Sequence, residues 1–532
     1  MDYRAIEPLR RCIFGSLFSV FVAVALTGCI HQPEYLPLSR QRVLDGSLVE
    51  YPTGCRLSQV VKDLNCPTAM CWNSDGDMLI AESGIDGGEP HIFGYHHKDH
   101  TYFNIYPYHR TISFFPTSGF VMYGPVGGMV CYQDRIYVSH RDRQGRGVIT
   151  QLGYKGTHST IIAGLPAQGD YGVTDVIIHN DRLYFGVGTA TNSGVVGIDN
   201  YDEGWLKLHP RVHDEMYSPD SLTLKTQGAR FDTPDPRAGL FSPAISITVP
   251  FQPFGQSTET RIRSTDKPNG SVCSIGLNDG TLKLKIEAFG LHNPRGLAFD
   301  ADDRFFVTND GMELRGTRPI ADDPDSLIRI TSDSTWLGWP DFTTDGHSVS
   351  EPTYRPPLSM LIATGYGEIS SLIDPTASKL RLPVDFNNVV FGVFPSLSGA
   401  AKMAFVPENG PFKESAGKAL VALDGDRTPF ASSGVKLINR QGFEVALVDL
   451  DRKTVDPFIR NTARVPASMQ PFGTFALERP CDVKVGPDGA IYILDFGRMD
   501  NNSAIPRYYP GTGGLFRLEK VGPGSAESGV KE

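Results

Sequence analysis

The residues of this chain best suited to chemistry are its histidines, its clustered acids and its cysteines. His91, His96, His97 and His100 fall in one polar stretch. They have the side chains of a metal cluster, but a polar stretch of this composition is expected to be a surface loop. Asp199, Asp202 and Glu203 form one acidic group, and Asp310 and Glu313 flank Gly311 in another. Loops of this kind either bind calcium through oxygen ligands or are simply solvated. Of the eight cysteines, Cys12 and Cys29 lie in the first segment, leaving Cys55, Cys66, Cys71, Cys131, Cys273 and Cys481. A local bridge among Cys55, Cys66 and Cys71 is expected, and no second pair with zinc spacing occurs. No GxSxG elbow, phosphate-binding loop or dinucleotide fingerprint stands in a strand–turn–helix context.

The elements that would position such residues are β-strands. Gly (56) and Pro (39) are abundant and punctuate the chain with turns rather than helices. A strand–turn–strand pattern recurs from Pro67 to Gly84, Gly124 to His140, Tyr171 to Gly188, Pro294 to Gly311, Gly399 to Asp424 and, most clearly, Val483 to Leu494. Each copy alternates apolar residues, turns on residues such as Pro-Asp-Gly, and resumes with an aromatic-bearing run, which is a hairpin signature. Copies sharing one turn chemistry can bury their apolar faces only against one another, which predicts an all-β, six-bladed β-propeller. The hairpins supply the inner strands of each blade, and Gly513 to Leu518 forms a last strand. The alternative is two separate β-sandwiches.

Four stretches carry a family resemblance. GLHNPRGLAFDADDRFFVTNDGMELRGTRPI followed by TWLGWP, together with GLPAQGDYGVTDVIIHNDRLYFGVGTATNSG and ERPCDVKVGPDGAIYILDFG, resembles the glucose/sorbosone dehydrogenase family. These are soluble sugar dehydrogenases dependent on pyrroloquinoline quinone (PQQ), and the resemblance covers roughly residues 60 to 520. It implies oxidation of a sugar hydroxyl or aldehyde, with a base for the hydroxyl proton, a cation for charge on the quinone, and calcium on its oxygens. It assigns Asp170, Asn293 and Arg479 to the cofactor. It assigns the carbonyls of Gly311 and Met312 to calcium. Two positions depart from the pattern: Tyr171 stands where the family has a histidine, and His292 where it has an arginine. They are the candidates for proton transfer. A second arginine position holds Cys481, and no match to a cofactor lysine occurs near Gly425.

The N-terminus points to export. Arg4, Arg10 and Arg11 precede an apolar run from Cys12 to Leu26, too short to span a bilayer. Leu26-Thr27-Gly28-Cys29 resembles a bacterial lipobox, which implies cleavage before Cys29 and its lipidation; Ile30 after it favours the outer membrane. Residues 1–28 are then a signal peptide, 29–55 a linker, 56–521 the propeller and 522–532 a polar tail. The net charge of −10 argues against nucleic acid as a partner. Two functions are therefore expected to compete: a PQQ- and calcium-dependent sugar dehydrogenase, and a lipid-anchored propeller that binds a glycan or envelope protein without redox chemistry.

Overall fold

The computed structural model describes residues 44–96, 98–108, 120–225, 230–235, 237–238, 244–256, 260–278, 280–331, 335–363, 369–383, 385–428, 441–470, 476–503 and 505–521. Cys29, His97 and the C-terminal tail lie outside them. The sheets form a six-bladed β-propeller. The innermost strands are Pro67–Trp72, Met129–Tyr132, Val173–His179, Asn293–Phe299, Ala400–Phe405 and Pro480–Val485, in blades one to six. Each packs beside the next, and the sixth returns to the first.

All six hairpins read from the sequence are the two inner strands of a blade. Turn chemistry sets them. Gln133-Asp134 and Asn180-Asp181 are two-residue turns in which both residues have positive φ, the geometry that matches strand twist. The second strands Met78–Glu82, Ala419–Leu423 and Ile491–Asp495 are buried along their whole length. A blade is covered on both faces by its neighbours, so these strands carry unbroken apolar runs. A separate apolar cluster fills each of the six interfaces between blades.

The ring closes with strands from both ends of the chain. Gly513–Lys520 is the third strand of blade six, and Cys55–Leu64 pairs with it as the outermost strand, with Leu57 opposite Leu518. Val49–Glu50, in the stretch read as linker, adds a strand to blade five. The expected bridge among Cys55, Cys66 and Cys71 does not form. Cys71 is bonded to Cys131 instead, joining the innermost strands of blades one and two, while Cys55 and Cys66 are free. Sequence proximity misled here because a propeller brings a residue next to its counterpart one blade away.

Long insertions in blades three and four break the ring's regularity. They share a core of Phe231, Phe251, Trp336, Trp339, Leu372 and their neighbours. Trp339 donates through Nε1 to the Asn192 carbonyl at 3.1 Å, and Asn192 Nδ2 donates to the carbonyls of Glu313 at 2.7 Å and Arg315 at 3.1 Å. These contacts tie the two insertions together and fix the segments bearing Glu203, Trp205 and Arg315.

Candidate functional site at the channel mouth

A cavity of about 400 Å³ opens at one end of the central channel. Pro125, Asp170, Tyr171, Asn293 and Gly399 line it just before or at the start of innermost strands, while Ile85, Arg141, Gly311 and Gly425 line it where second strands end. All therefore belong to the same end of the ring. Deeper in the channel, Lys402 of blade five donates to the Thr68 carbonyl of blade one at 2.7 Å and lies 3.5 Å from Asp175 of blade three. That buried cross-link spans the ring below the mouth.

Blades three and four and their insertions build an acidic wall. Its organiser is Arg315, whose side chain is 2% exposed. The guanidinium donates to Asp170 at 2.7 Å and Asp199 at 2.8 Å, lies 3.1 Å from Glu203, and donates to Glu313. Asp170 also accepts from Trp205 Nε1 at 2.6 Å and Asn200 Nδ2 at 3.1 Å. Burial raises Asp199 to about 6 even beside Arg315, and burial with Asp170 alongside holds Glu203 well above the carboxylate range. Glu313 is different. Burial works against its charge, but Arg315 and the Tyr171 hydroxyl hold its carboxyl below the ordinary value, so it is ionised at neutral pH. Asp170, Asp199 and Glu203 have the grouping of a cation site, but the Arg315 guanidinium already stands among them.

Tyr171 and His292 adjoin. Their rings meet edge to face with centroids 5.1 Å apart. Burial, with Glu313 adding to it, pushes the Tyr171 hydroxyl well above 10, so it is a donor and not a base. Burial lowers His292 to about 4; the ring is neutral, Nδ1 faces the Asp310 carbonyl at 3.2 Å, and Nε2 has no hydrogen-bond partner among the described residues.

Asn293 donates through Nδ2 to Asp310 at 2.8 Å. The remaining oxygens, Asn293 Oδ1 and Asp310 Oδ1, are buried and accept no hydrogen bond within the described structure. Burial, opposed by Arg295, raises Asp310 well above the carboxylate range. Arg295 itself is paired, both nitrogens of its fork reaching Asp424.

The sequence-based candidates thus divide. Asp170, Tyr171, Asn293 and Gly311 converge on the cavity. His292, Met312 and Arg479 do not line it. Met312 packs in the insertion core. Arg479 donates to the carbonyls of Asp424 and Asp426 at 2.8 and 2.9 Å and lies over Phe443, so it shapes a loop from beneath. Cys481 is buried, its thiol directed at backbone carbonyls. The polar stretch expected to be a surface loop is in part the strand His91–His96, and its histidines meet separate partners: His91 contacts Glu82, His96 contacts Asp77, and His100 contacts Tyr95.

Sequence reasoning missed the arginines Arg141, Arg295, Arg315 and Arg427, all of which line the cavity. Arg295 and Arg315 lie inside the motif that carried the resemblance. The signal for the others was positional: Arg141 ends a second strand, and Arg427 lies two residues beyond the Gly425 turn.

No protein-family model and no curated protein matches the sequence. Solved structures do match. The holo form of the pyranose dehydrogenase PQQ domain from Coprinopsis cinerea is 11% identical over 88% of this chain and 97% of its own, with a TM-score of 0.50. The calcium structure of the family AA12 carbohydrate-active enzyme from Trichoderma reesei is 10% identical over 90% of this chain and 99% of its own, with a TM-score of 0.51. At such identities the likeness is one of fold.

Proposed function

We propose that this sugar dehydrogenase-like propeller binds a small polyhydroxylated carbohydrate at the channel mouth. One observation carries the reading: Asn293 Oδ1, a buried acceptor, and Asp310 Oδ1, on a carboxyl that burial keeps protonated, have no hydrogen-bond partner among the described residues, in a cavity sized for a small molecule. Sugar hydroxyls both donate and accept, and so can meet both. Glu313 adds an ionised acceptor, and Tyr171, Trp205 and Tyr508 add aromatic surface. The solved structures of similar fold, a pyranose dehydrogenase domain among them, support the same ligand class.

The residues assigned to PQQ and calcium fit those groups poorly. Arg479 holds two backbone carbonyls through one nitrogen of its fork, and neither it nor Met312 lines the cavity with Gly311 and Asn293. No step is therefore derived through either group, and binding without redox chemistry is the first reading. The second keeps the oxidation of a sugar hydroxyl or aldehyde, and Glu313 favours it. It is an ionised carboxylate at the mouth, able to take a hydroxyl proton. The test is a titration of an aldose panel against the purified protein, with and without PQQ and calcium, followed by dye reduction. Sugar binding without turnover is expected; turnover establishes the second reading, and no binding by any sugar overturns both.

The chain is further proposed to be exported and anchored through lipid on Cys29, facing the periplasm or the cell surface. The Cys71–Cys131 disulfide supports an oxidising compartment. No helix among the described residues is long and apolar enough to cross a membrane. With the lipid as the proposed anchor, Cys29→Ser should release the protein. Unchanged retention contradicts the anchor.

A further inference from the structure

We propose that Arg141 and Arg427 form a carboxylate-binding subsite in the channel mouth, so that the carbohydrate taken there is an acid of the uronic or aldonic class. The proposal rests on the carbohydrate reading above.

The two arginines differ from the others at the mouth. Arg295 and Arg315 are saturated by carboxylates. Arg141 makes no ion pair with any described acid. Its neighbour Asp142 accepts instead from the amides of Gln144 and Arg146 and from the Arg146 side chain. Burial draws the Arg141 guanidinium down to about 10, with only Tyr508 acting against it. Arg427 lies over the Phe496 ring at 4.5 Å and approaches Asp424 at 2.8 Å. Asp424, however, is already engaged by Arg295, and Nε and Nη2 of Arg427 are buried without a hydrogen-bond partner among the described residues.

Both arginines act on the hydroxyl of Tyr508, which lines the same cavity. A buried cation lacking a counter-ion is costly, and a carboxylate meets a guanidinium through paired charge-assisted hydrogen bonds. Elsewhere in the cavity Asn293 Oδ1 and Asp310 Oδ1 also have no hydrogen-bond partner among the described residues. A ligand that satisfies all of them carries a carboxylate at one end and hydroxyls at the other, within about 400 Å³.

The experiment is calorimetric titration of the full-length protein in detergent with galacturonate, gluconate, glucose and PQQ. The acids are expected to bind at least about tenfold more tightly than glucose, since a hydrogen bond to a charged group contributes about that much or more. Arg141→Gln and Arg427→Gln should each bring acid affinity down toward that of glucose, and Arg141→Lys should retain part of it. If the glutamine variants do not fold, the acid-to-glucose ratio of the unaltered protein decides the matter. Equal affinity for acids and glucose overturns the subsite and leaves the carbohydrate reading intact. No binding of any sugar overturns both. Binding of PQQ alone, lost in Arg141→Gln, gives the arginines to a cofactor and overturns the acidic-sugar assignment.

Discussion

The hydroxyl of Tyr171 donates to Glu313 Oε1 at 3.1 Å, joining the segment that leads into blade three to the insertion of blade four. The acceptor is a buried, ionised carboxylate, so the bond is charge-assisted. Tyr171→Phe should cost about 1.5–3 kcal/mol, read from urea unfolding at neutral pH. A loss below about 0.5 kcal/mol would show that Glu313 has another donor.

Arg315 is the one cation among Asp170, Asp199, Glu203 and Glu313. Removing one partner of a buried ionic group strands the rest, typically at about 3–5 kcal/mol. Arg315→Met should be destabilised by that amount at pH 7 and by less near pH 4, where the carboxylates protonate. A penalty independent of pH would mean that the residue matters for packing and not charge.

His292 gives a pH dependence of definite sign. Its folded value of about 4 lies below the unfolded 6.5. The folded state therefore holds the ring neutral, and this contribution is present above pH 6.5 and lost as pH falls toward 4. The loss is about 3 kcal/mol over that window. His292→Asn keeps a donor for the Asp310 carbonyl but does not titrate, so its stability should fall less by about that amount between pH 7 and pH 4. Parallel stability curves would contradict the burial of a neutral ring.

The Cys71–Cys131 bond ties blades one and two at the channel. Reduction should cost about 2–4 kcal/mol, visible as a lowered unfolding midpoint in dithiothreitol. Cys131→Ala should unfold at the same lowered midpoint with or without the reductant. An unchanged wild-type midpoint in dithiothreitol would show that the thiols are not bonded.

The blades were legible because a hairpin is local: its apolar runs and its turn residues lie together in the chain. Gln133-Asp134 and Pro487-Asp488-Gly489 announce their turns without reference to anything distant. The ring closure was half legible, since Gly513–Lys520 reads as a strand, but its partner Cys55–Leu64 lies at the other end of the chain. The site was legible where a residue belongs to a hairpin motif, as Asp170, Tyr171 and Asn293 do. Arg141 and Arg427 carry no motif; what sets them apart is that among the described residues Arg141 pairs with no acid and Arg427 meets only Asp424, which Arg295 also holds, a property of three-dimensional neighbours. Arg479 erred in the opposite direction: its position in the motif is kept, while its Nη1 holds the carbonyls of Asp424 and Asp426 and the side chain does not line the cavity.

The most direct test of the central claim is the affinity of a monosaccharide ligand for the wild type and for Asn293→Leu, by calorimetry, with folding checked by circular dichroism. Asn293 Oδ1 is a buried acceptor awaiting a donor, so the account predicts one ligand per chain and an affinity reduced about tenfold or more in the variant. Binding of equal strength to both proteins would place the carbohydrate elsewhere and contradict the assignment of the channel mouth.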